Sequence, residues 1–450
     1  MSGTMLVVNL VIAIAIILFL ILKAKVSPVI AMVIASIYMG LASGIGFAVT
    51  ADTINKGFGG LMVGIGLPIG LGIMLGEVLS EYGGAKAIAY AMIRKFPGKK
   101  APFALGLTAF LVSIPVFFDV TFVILIPLGL AVSKYSKIPL PYAAGAIAIG
   151  GVCSQTFVPP TPNPLAAASI LKFDLGMMVV VGLVIGLAAA VFSMKMWFFM
   201  LNRGWWNKEN DETGLIDIEA ADELAGENLP SAGLALLPIV VPVICILLGT
   251  TWKAITGDVP GFVGFLSDKT TAILLGLICV YLLAKKRMSW QQLGDVTSKS
   301  LKTAGIVLMI TGAGGSFGAI IQATGIGKVL TSGIGGEGDS TMLILAIAFG
   351  IGVIFRVAQG SGTVASITAM TIMADVAGSL SCHPVYLAIA ALAGGNFIGH
   401  VNDSGFWVVT NLSGFSVTGG FKTYTFNTVT LAGMAFILAM LGAKFLPMVG

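Results

Sequence analysis

Residues 342–363 read MLILAIAFGIGVIFRVAQGSGT, and the arginine inside that run decides the fold. Fourteen apolar or small residues lead up to Arg356, a polar and glycine-rich turn occupies residues 356–362, and residues 363–380 form a second apolar arm. Arms this short fall below the roughly 20 residues that a helix needs to cross a bilayer. The pair therefore reads as a re-entrant hairpin that carries a guanidinium to membrane depth. A charge at the centre of a membrane helix costs roughly 2.5–3.5 kcal/mol, so such a residue is a functional candidate by default. The shape recurs upstream, where residues 101–114 and 121–132 are apolar arms around 115–120, which include Asp119.

The composition agrees with a membrane setting. Of 450 residues, 57% are hydrophobic and 10% charged, against the roughly 25% charged residues of a soluble domain; the mean hydropathy is +1.00. Residues 5–22, 179–194 and 431–442 carry no charge at all. Glycine, at 59 residues, suits helices whose backbones approach closely in lipid. Residues 1–22 lack the cationic start of a signal peptide and read as a retained first helix. The four cysteines stand singly, without metal-like spacing, and read as small buried residues.

The chain divides into halves that look alike. Residues 202–231 form the hydrophilic stretch, rich in Asp and Glu. Gly76, Gly83, Lys86 and Thr121 recur as Gly318, Gly325, Lys328 and Thr363, each displaced by 242, and the Gly150-Gly151 pair recurs as Gly394-Gly395 at 244. Each half also has one span interrupted by polar or proline-rich backbone, at 158–164 and at 400–405. With five spans and one hairpin per half, starting outside, eighteen Lys/Arg fall inside, six outside, and Arg356 stays in the membrane. That is the bias the positive-inside rule expects; reading the first hairpin as a full span moves Lys134 and Lys137 outside and spoils it. An odd number of spans inverts the second half. The expected fold is an all-α polytopic membrane protein of two inverted repeats, each with five spans, a re-entrant hairpin and a broken helix. Residues 1–201 form the first membrane repeat, 202–231 a hydrophilic cytoplasmic linker, and 232–450 the second, inverted repeat. Secondary transporters are commonly built this way, with the site at the repeat interface.

Three charges stand at the breaks: Asp119, Arg356 and Asp403. A carboxylate among aromatic neighbours suits a group that takes up and releases a proton; Asp119 equally suits an ion pair or a helix N-cap. Arg356 can grip a carboxylate with two parallel hydrogen bonds, or pair with Asp119 or Asp403. The two readings coexist if a substrate displaces the partner. Ser361, Gly362 and Thr363 open a helix after a glycine-rich turn, an anion-binding arrangement, while Thr161, Asn163, Asn402 and Ser404 offer hydroxyl-reading groups. His400 can share a proton with Asp403 or be structural. Residues 312–318 fit a loose nucleotide-binding glycine pattern, but without a βαβ unit they read as close helix packing or a site-lining break.

These motifs, namely Phe117-Phe118-Asp119-Val120, the proline run at 159–164, the glycines of 312–318, Arg356 to Thr363, and His400-Val401-Asn402-Asp403-Ser404-Gly405-Phe406-Trp407, resemble those of the gluconate:proton symporter family. The resemblance runs the whole chain and is closer to the gluconate branch than to the D-serine branch. Two positions depart from the family pattern, with Asp119 in place of glutamate and Thr161 where histidine often stands.

The resemblance implies a homodimeric carrier in a bacterial inner membrane, taking up gluconate or a related small sugar acid with a proton. Its partners are then a small organic anion, a proton (or sodium) and the lipid bilayer, without nucleic acid, metal or cofactor. Arg356 with the backbone of 361–363 would hold the carboxylate, Asn163, Thr161, Asn402 and Ser404 would read hydroxyls, and Asp119 or Asp403 would carry the proton, with His400 alongside. The alternatives are a carrier of D-serine or of a short hydroxy acid such as glycerate, or sodium coupling. A channel needs a continuous polar pore, and an enzyme a nucleophile–base pair; neither pattern is present in the sequence.

Overall fold

The computed structural model describes residues 2–213, 228–326, 341–401 and 403–448. Their regular secondary structure is all helix, apart from one isolated bridge between Glu212 and Phe415. Lipid offers no water to backbone N–H and C=O groups, and helices satisfy them internally.

The first half runs α1 (Gly3–Leu22), α2 (Pro28–Ala42), α3 (Phe47–Glu81), α4 (Gly84–Lys95), α5 (Ala101–Val112), α6 (Phe118–Ser136), α7 (Leu140–Phe157), α8 (Pro162–Ile170) and α9 (Leu175–Asn202). A short α10 (Lys208–Asp211) precedes the second half: α11 (Ala232–Thr256), α12 (Gly261–Ser267), α13 (Lys269–Ala284), α14 (Trp290–Thr324), α15 (Thr341–Gln359), α16 (Gly362–Met373), α17 (Val385–Asn396), α18 (Ser404–Leu412), α19 (Val417–Gly420) and α20 (Phe426–Phe445). Among the described residues, five helices are long and apolar enough to cross a bilayer, or six if the bent pair α12–α13 counts as one span.

The halves carry matching parts. α3 and α14 have 35 residues each, and each ends at a glycine with positive φ, Gly83 at +86° and Gly325 at +70°. The paired glycines also do the same job. A Cβ on Gly150 of α7 would sit 1.9 Å from the Gly106 carbonyl oxygen of α5, and one on Gly394 of α17 would sit 2.1 Å from the Phe349 carbonyl oxygen of α15. In each half, then, a bare backbone lets the first hairpin arm lie against the broken span.

Each expected hairpin corresponds to two consecutive helices with shifted bounds. α5 stops at Val112 and α6 starts at Phe118, so Asp119 occupies the first turn of a helix and not the loop. The Ser113 hydroxyl donates to that of Thr121 at 2.8 Å and ties the two arms together. The second arm is longer than expected, running to Ser136. In the other half α15 continues through Arg356 to Gln359, because the Gly360 N–H still reaches the Arg356 carbonyl at 2.9 Å before φ of +82° at Gly360 ends the helix. The expected arm 363–380 is helical to Met373 and then tightens into a 3-10 segment, Ala374–Ser379.

The interrupted spans lie between α7 and α8 and between α17 and α18. Residues 312–318 fall inside the unbroken α14 and pack on α3, so helix packing, and not a break, explains that glycine pattern. Cys153 and Cys382 are buried, while Cys245 and Cys279 are only half-buried; none of the four is in a disulfide. The start of the expected linker is tied down: Asp211 is fully buried and pairs with Lys422 at 2.7 Å. Residues 214–227 of that stretch lie outside the described residues, as does Lys328.

Candidate functional site

The site is assembled from helix ends. Where α15 stops, Ser361 caps α16, its hydroxyl accepting from the Val364 N–H at 3.4 Å. Arg356 therefore hangs at the end of one helix beside the start of the next, only 3% exposed. A buried guanidinium is tolerable only with partners for its donors. It donates through Nη1 to the Gly360 carbonyl and through Nη2 to Asp403 Oδ2, while its Nε has no partner among the described residues.

Asp403 comes from the second broken span. It caps α18 through Oδ1, which accepts from the Gly405 N–H at 2.9 Å, and its Oδ2 also accepts from the Tyr424 hydroxyl at 2.7 Å. Tyr424 is placed by a wide helical turn over Phe421–Thr425, which widens the spacing between side chains where α19 passes into α20.

The first half supplies a second carboxylate. Asp119, half-buried at the start of α6, is hydrogen-bonded by the Ser404 side chain and lies near enough to Asp403 to feel its charge. Gln155 of α7 fixes this tip, its side-chain oxygen accepting from the Phe118 N–H at 2.5 Å. Asn163, in the first turn of α8, is 3% exposed and its side-chain oxygen has no partner among the described residues.

All of these groups line one cavity of about 690 Å³, within the roughly 300–1,000 Å³ of small-ligand sites. Four helices, α6, α8, α16 and α18, begin at its wall. The free N–H groups and dipole of a helix N-terminus favour negative charge. The backbone alone thus makes this wall attractive to an anion, and Arg356 adds a fixed cation. Glu77 of α3 and Thr303 of α14 also line the cavity, and Lys299 acts on Glu77 electrostatically.

Of the residues singled out from sequence, Asp119, Arg356, Ser361, Gly362, Thr363, Asn163, Asp403 and Ser404 meet at this cavity. Thr161 does not line it: its hydroxyl lies 2.8 Å from the carbonyls of both Gln155 and Val158, which the helix break leaves without N–H partners. His400 does not line it either, and reaches Asp403 through its backbone carbonyl, which accepts from the Asp403 N–H at 2.8 Å. Asn402 lies outside the described residues. Sequence reasoning missed Tyr424, Gln155 and Asn396. Gln155 and Asn396 are amide side chains in largely apolar helical stretches, and that was the available signal; Tyr424 gave none.

A family model described as GntP family permease matches residues 5–445. The inner membrane permease YgbN of Escherichia coli is 32% identical over 92% of this chain and 93% of its own length. A gluconate permease of Pseudomonas aeruginosa is 31% identical over 92% and 93%. Among solved structures, the Alcanivorax borkumensis YdaH transporter superposes with a TM-score of 0.64 at 13% identity, covering 93% of this chain and 98% of that one. That likeness shows the fold, a helical transporter fold. With its apolar helices, the protein is a multi-pass protein of the bacterial inner membrane. From residue 5 to residue 445 the chain belongs to the GntP family of permeases.

Proposed function

We propose that this permease is a secondary carrier that takes up gluconate or a related small sugar acid together with a proton. The observation that carries this reading is the placement of Arg356, buried at the junction of α15 and α16 in a cavity where four helix N-termini begin. An anionic end of a substrate finds there a guanidinium able to donate in two parallel bonds and the positive ends of four helices. Asn163, Ser404 and Thr363 line the remainder and suit hydroxyl groups. The cavity's size favours a polyhydroxy acid over D-serine or glycerate, and a relative described as a gluconate permease supports the same substrate class. Proton coupling is supported by two carboxylates, Asp119 and Asp403, at the same cavity.

The matching helices, hairpins and breaks of the two halves support a duplication with the second copy inverted, residues 1–201 and 232–450 being the repeats. The test is uptake of labelled gluconate into proteoliposomes under an inward proton gradient. Wild type accumulates gluconate, Arg356→Gln does not although it purifies as folded protein, and D-serine and glycerate compete poorly. Normal uptake by Arg356→Gln overturns the assignment.

A further inference from the structure

Arg356 already holds a carboxylate, and that carboxylate belongs to the protein. We propose that Asp403 keeps the substrate's place: the incoming anion displaces it from Arg356, and Asp403 takes up the transported proton as it lets go. This rests on reading the cavity as a sugar-acid site, and it commits the proton to one of the two carboxylates at that site.

The argument is one of buried charge. In the structure Arg356 and Asp403 form a neutral buried pair, with Tyr424 donating to the same Oδ2 that meets the guanidinium. The groups that face Asp403 are few. Arg356 comes from α15, Tyr424 from the turn Phe421–Thr425, and Asp119 with its partner Ser404 from the starts of α6 and α18. Glu77 lines the same cavity with Lys299 acting on it, and His400 offers a backbone carbonyl. Arg356 is thus the one cation in contact with Asp403 among the described residues.

A substrate carboxylate on Arg356 strips Asp403 of that cation and sets a new anion beside it, with Asp119 close by. A buried charge without a partner is expensive, and a titratable group escapes the cost by changing its protonation. Tyr424 can hold Asp403 in both states, since a phenol donates to a carboxylate and accepts from a carboxylic acid. The proton comes from water on the side where substrate enters. It returns to water on the other side when substrate leaves and Asp403 rejoins Arg356. Empty and loaded carrier then bear the same net charge, while anion without proton, or proton without anion, leaves a buried charge unmatched.

The experiment is proton counting on purified full-length protein, in weak buffer with an indicator dye, during titration with gluconate and a panel of other small carboxylates. Wild type is expected to take up about one proton per bound anion, and its affinity to fall by about tenfold per pH unit over the range where that proton is taken up on binding. Asp403→Asn is expected to bind without proton uptake, with a flat pH profile, and to lose gradient-driven accumulation. Asp119→Asn keeps the count at one. As a variant that spares the ion pair, Tyr424→Phe keeps the count but moves the midpoint of the pH profile, which a merely structural tyrosine would not do. Uptake of a proton by Asp403→Asn, or its loss in Asp119→Asn, overturns the proposal. If another carboxylate binds with one proton where gluconate does not, the sugar-acid reading fails and this one stands.

Discussion

Gly57 and Gly315 face each other where α3 crosses α14: a Cβ on Gly57 would stand 2.6 Å from the Gly315 carbonyl oxygen, and one on Gly315 would stand 2.7 Å from that of Gly57. The Ser316 hydroxyl donates to the Ile54 carbonyl at 2.9 Å in the same crossing. Small residues let membrane helices pack this closely, and a backbone oxygen cannot swing aside as a side chain can. Gly315→Ala is expected to destabilise the protein by about 1–3 kcal/mol, the usual range for overpacking. Gly59, two residues from Gly57, has open space around its would-be Cβ. Gly59→Ala is therefore expected to be neutral or stabilising by at most about 1 kcal/mol. Thermal unfolding in detergent, with both variants side by side, checks the contrast.

Gly399 leaves the room in which the buried ion pair forms. A Cβ there would lie 2.6 Å from Tyr424 Cε1, 2.7 Å from Arg356 Nη2 and 3.1 Å from Asp403 Oδ2. Gly399→Ala is expected to push these side chains apart and to lower gluconate uptake by about tenfold or more, the equivalent of roughly 1.4 kcal/mol of misplacement. The check is transport per folded protein, with folding confirmed by gel filtration, so that lost expression is not counted as lost activity.

Much of this arrangement was legible in the sequence because lipid leaves few places for charge or irregular backbone. Arg356, between two short apolar arms, stood out as a charge at a break, as did the carboxylates Asp119 and Asp403, and the three line one cavity. Thr161 misled for a physical reason. A helix break frees carbonyls as well as N–H groups, and its hydroxyl answers the carbonyls of Gln155 and Val158. Tyr424 was hidden because nothing in Phe421-Lys422-Thr423-Tyr424-Thr425 announces a widened turn, and without that turn the face it occupies cannot be deduced from helical period. The end of α15 moved to Gln359 because Gly360, at φ of +82°, and not Arg356, ends the helix.

The residues just after α9 are held by a charge pair whose carboxylate is buried. Asp211 is fully buried, and its Oδ2 accepts from Lys422 Nζ and from the Asn207 N–H, both at 2.7 Å. Lys422 also donates to the Trp205 carbonyl at 2.9 Å, two residues before Tyr424. Removing the lysine strands the buried carboxylate, which costs about 3–5 kcal/mol, whereas removing the carboxylate leaves a lysine that is still partly exposed. Lys422→Met is expected to destabilise strongly and Asp211→Asn less, and the double variant by less than the sum of the two. A double-mutant cycle on thermal unfolding measures the difference; strict additivity would mean the two charges do not depend on each other.

Asn163 and Thr161 sit two residues apart at the same break, in different surroundings. Asn163 lines the cavity with a buried side-chain oxygen that has no partner among the described residues. Such an acceptor favours a ligand that brings a hydroxyl, by roughly 1 kcal/mol or more per hydrogen bond. Asn163→Ala is therefore expected to raise KM for gluconate by about five- to tenfold while leaving affinity for a carboxylate without hydroxyls nearly unchanged, so the ranking of substrates shifts. Thr161 spends its hydroxyl on two backbone carbonyls. Thr161→Val is expected to lower thermal stability by about 1–3 kcal/mol through unsatisfied buried acceptors, with the substrate ranking intact. Competition of labelled gluconate uptake by hydroxylated and plain carboxylates, run on both variants, reads the two effects separately. A changed ranking in Thr161→Val together with an unchanged one in Asn163→Ala would reverse the assignment.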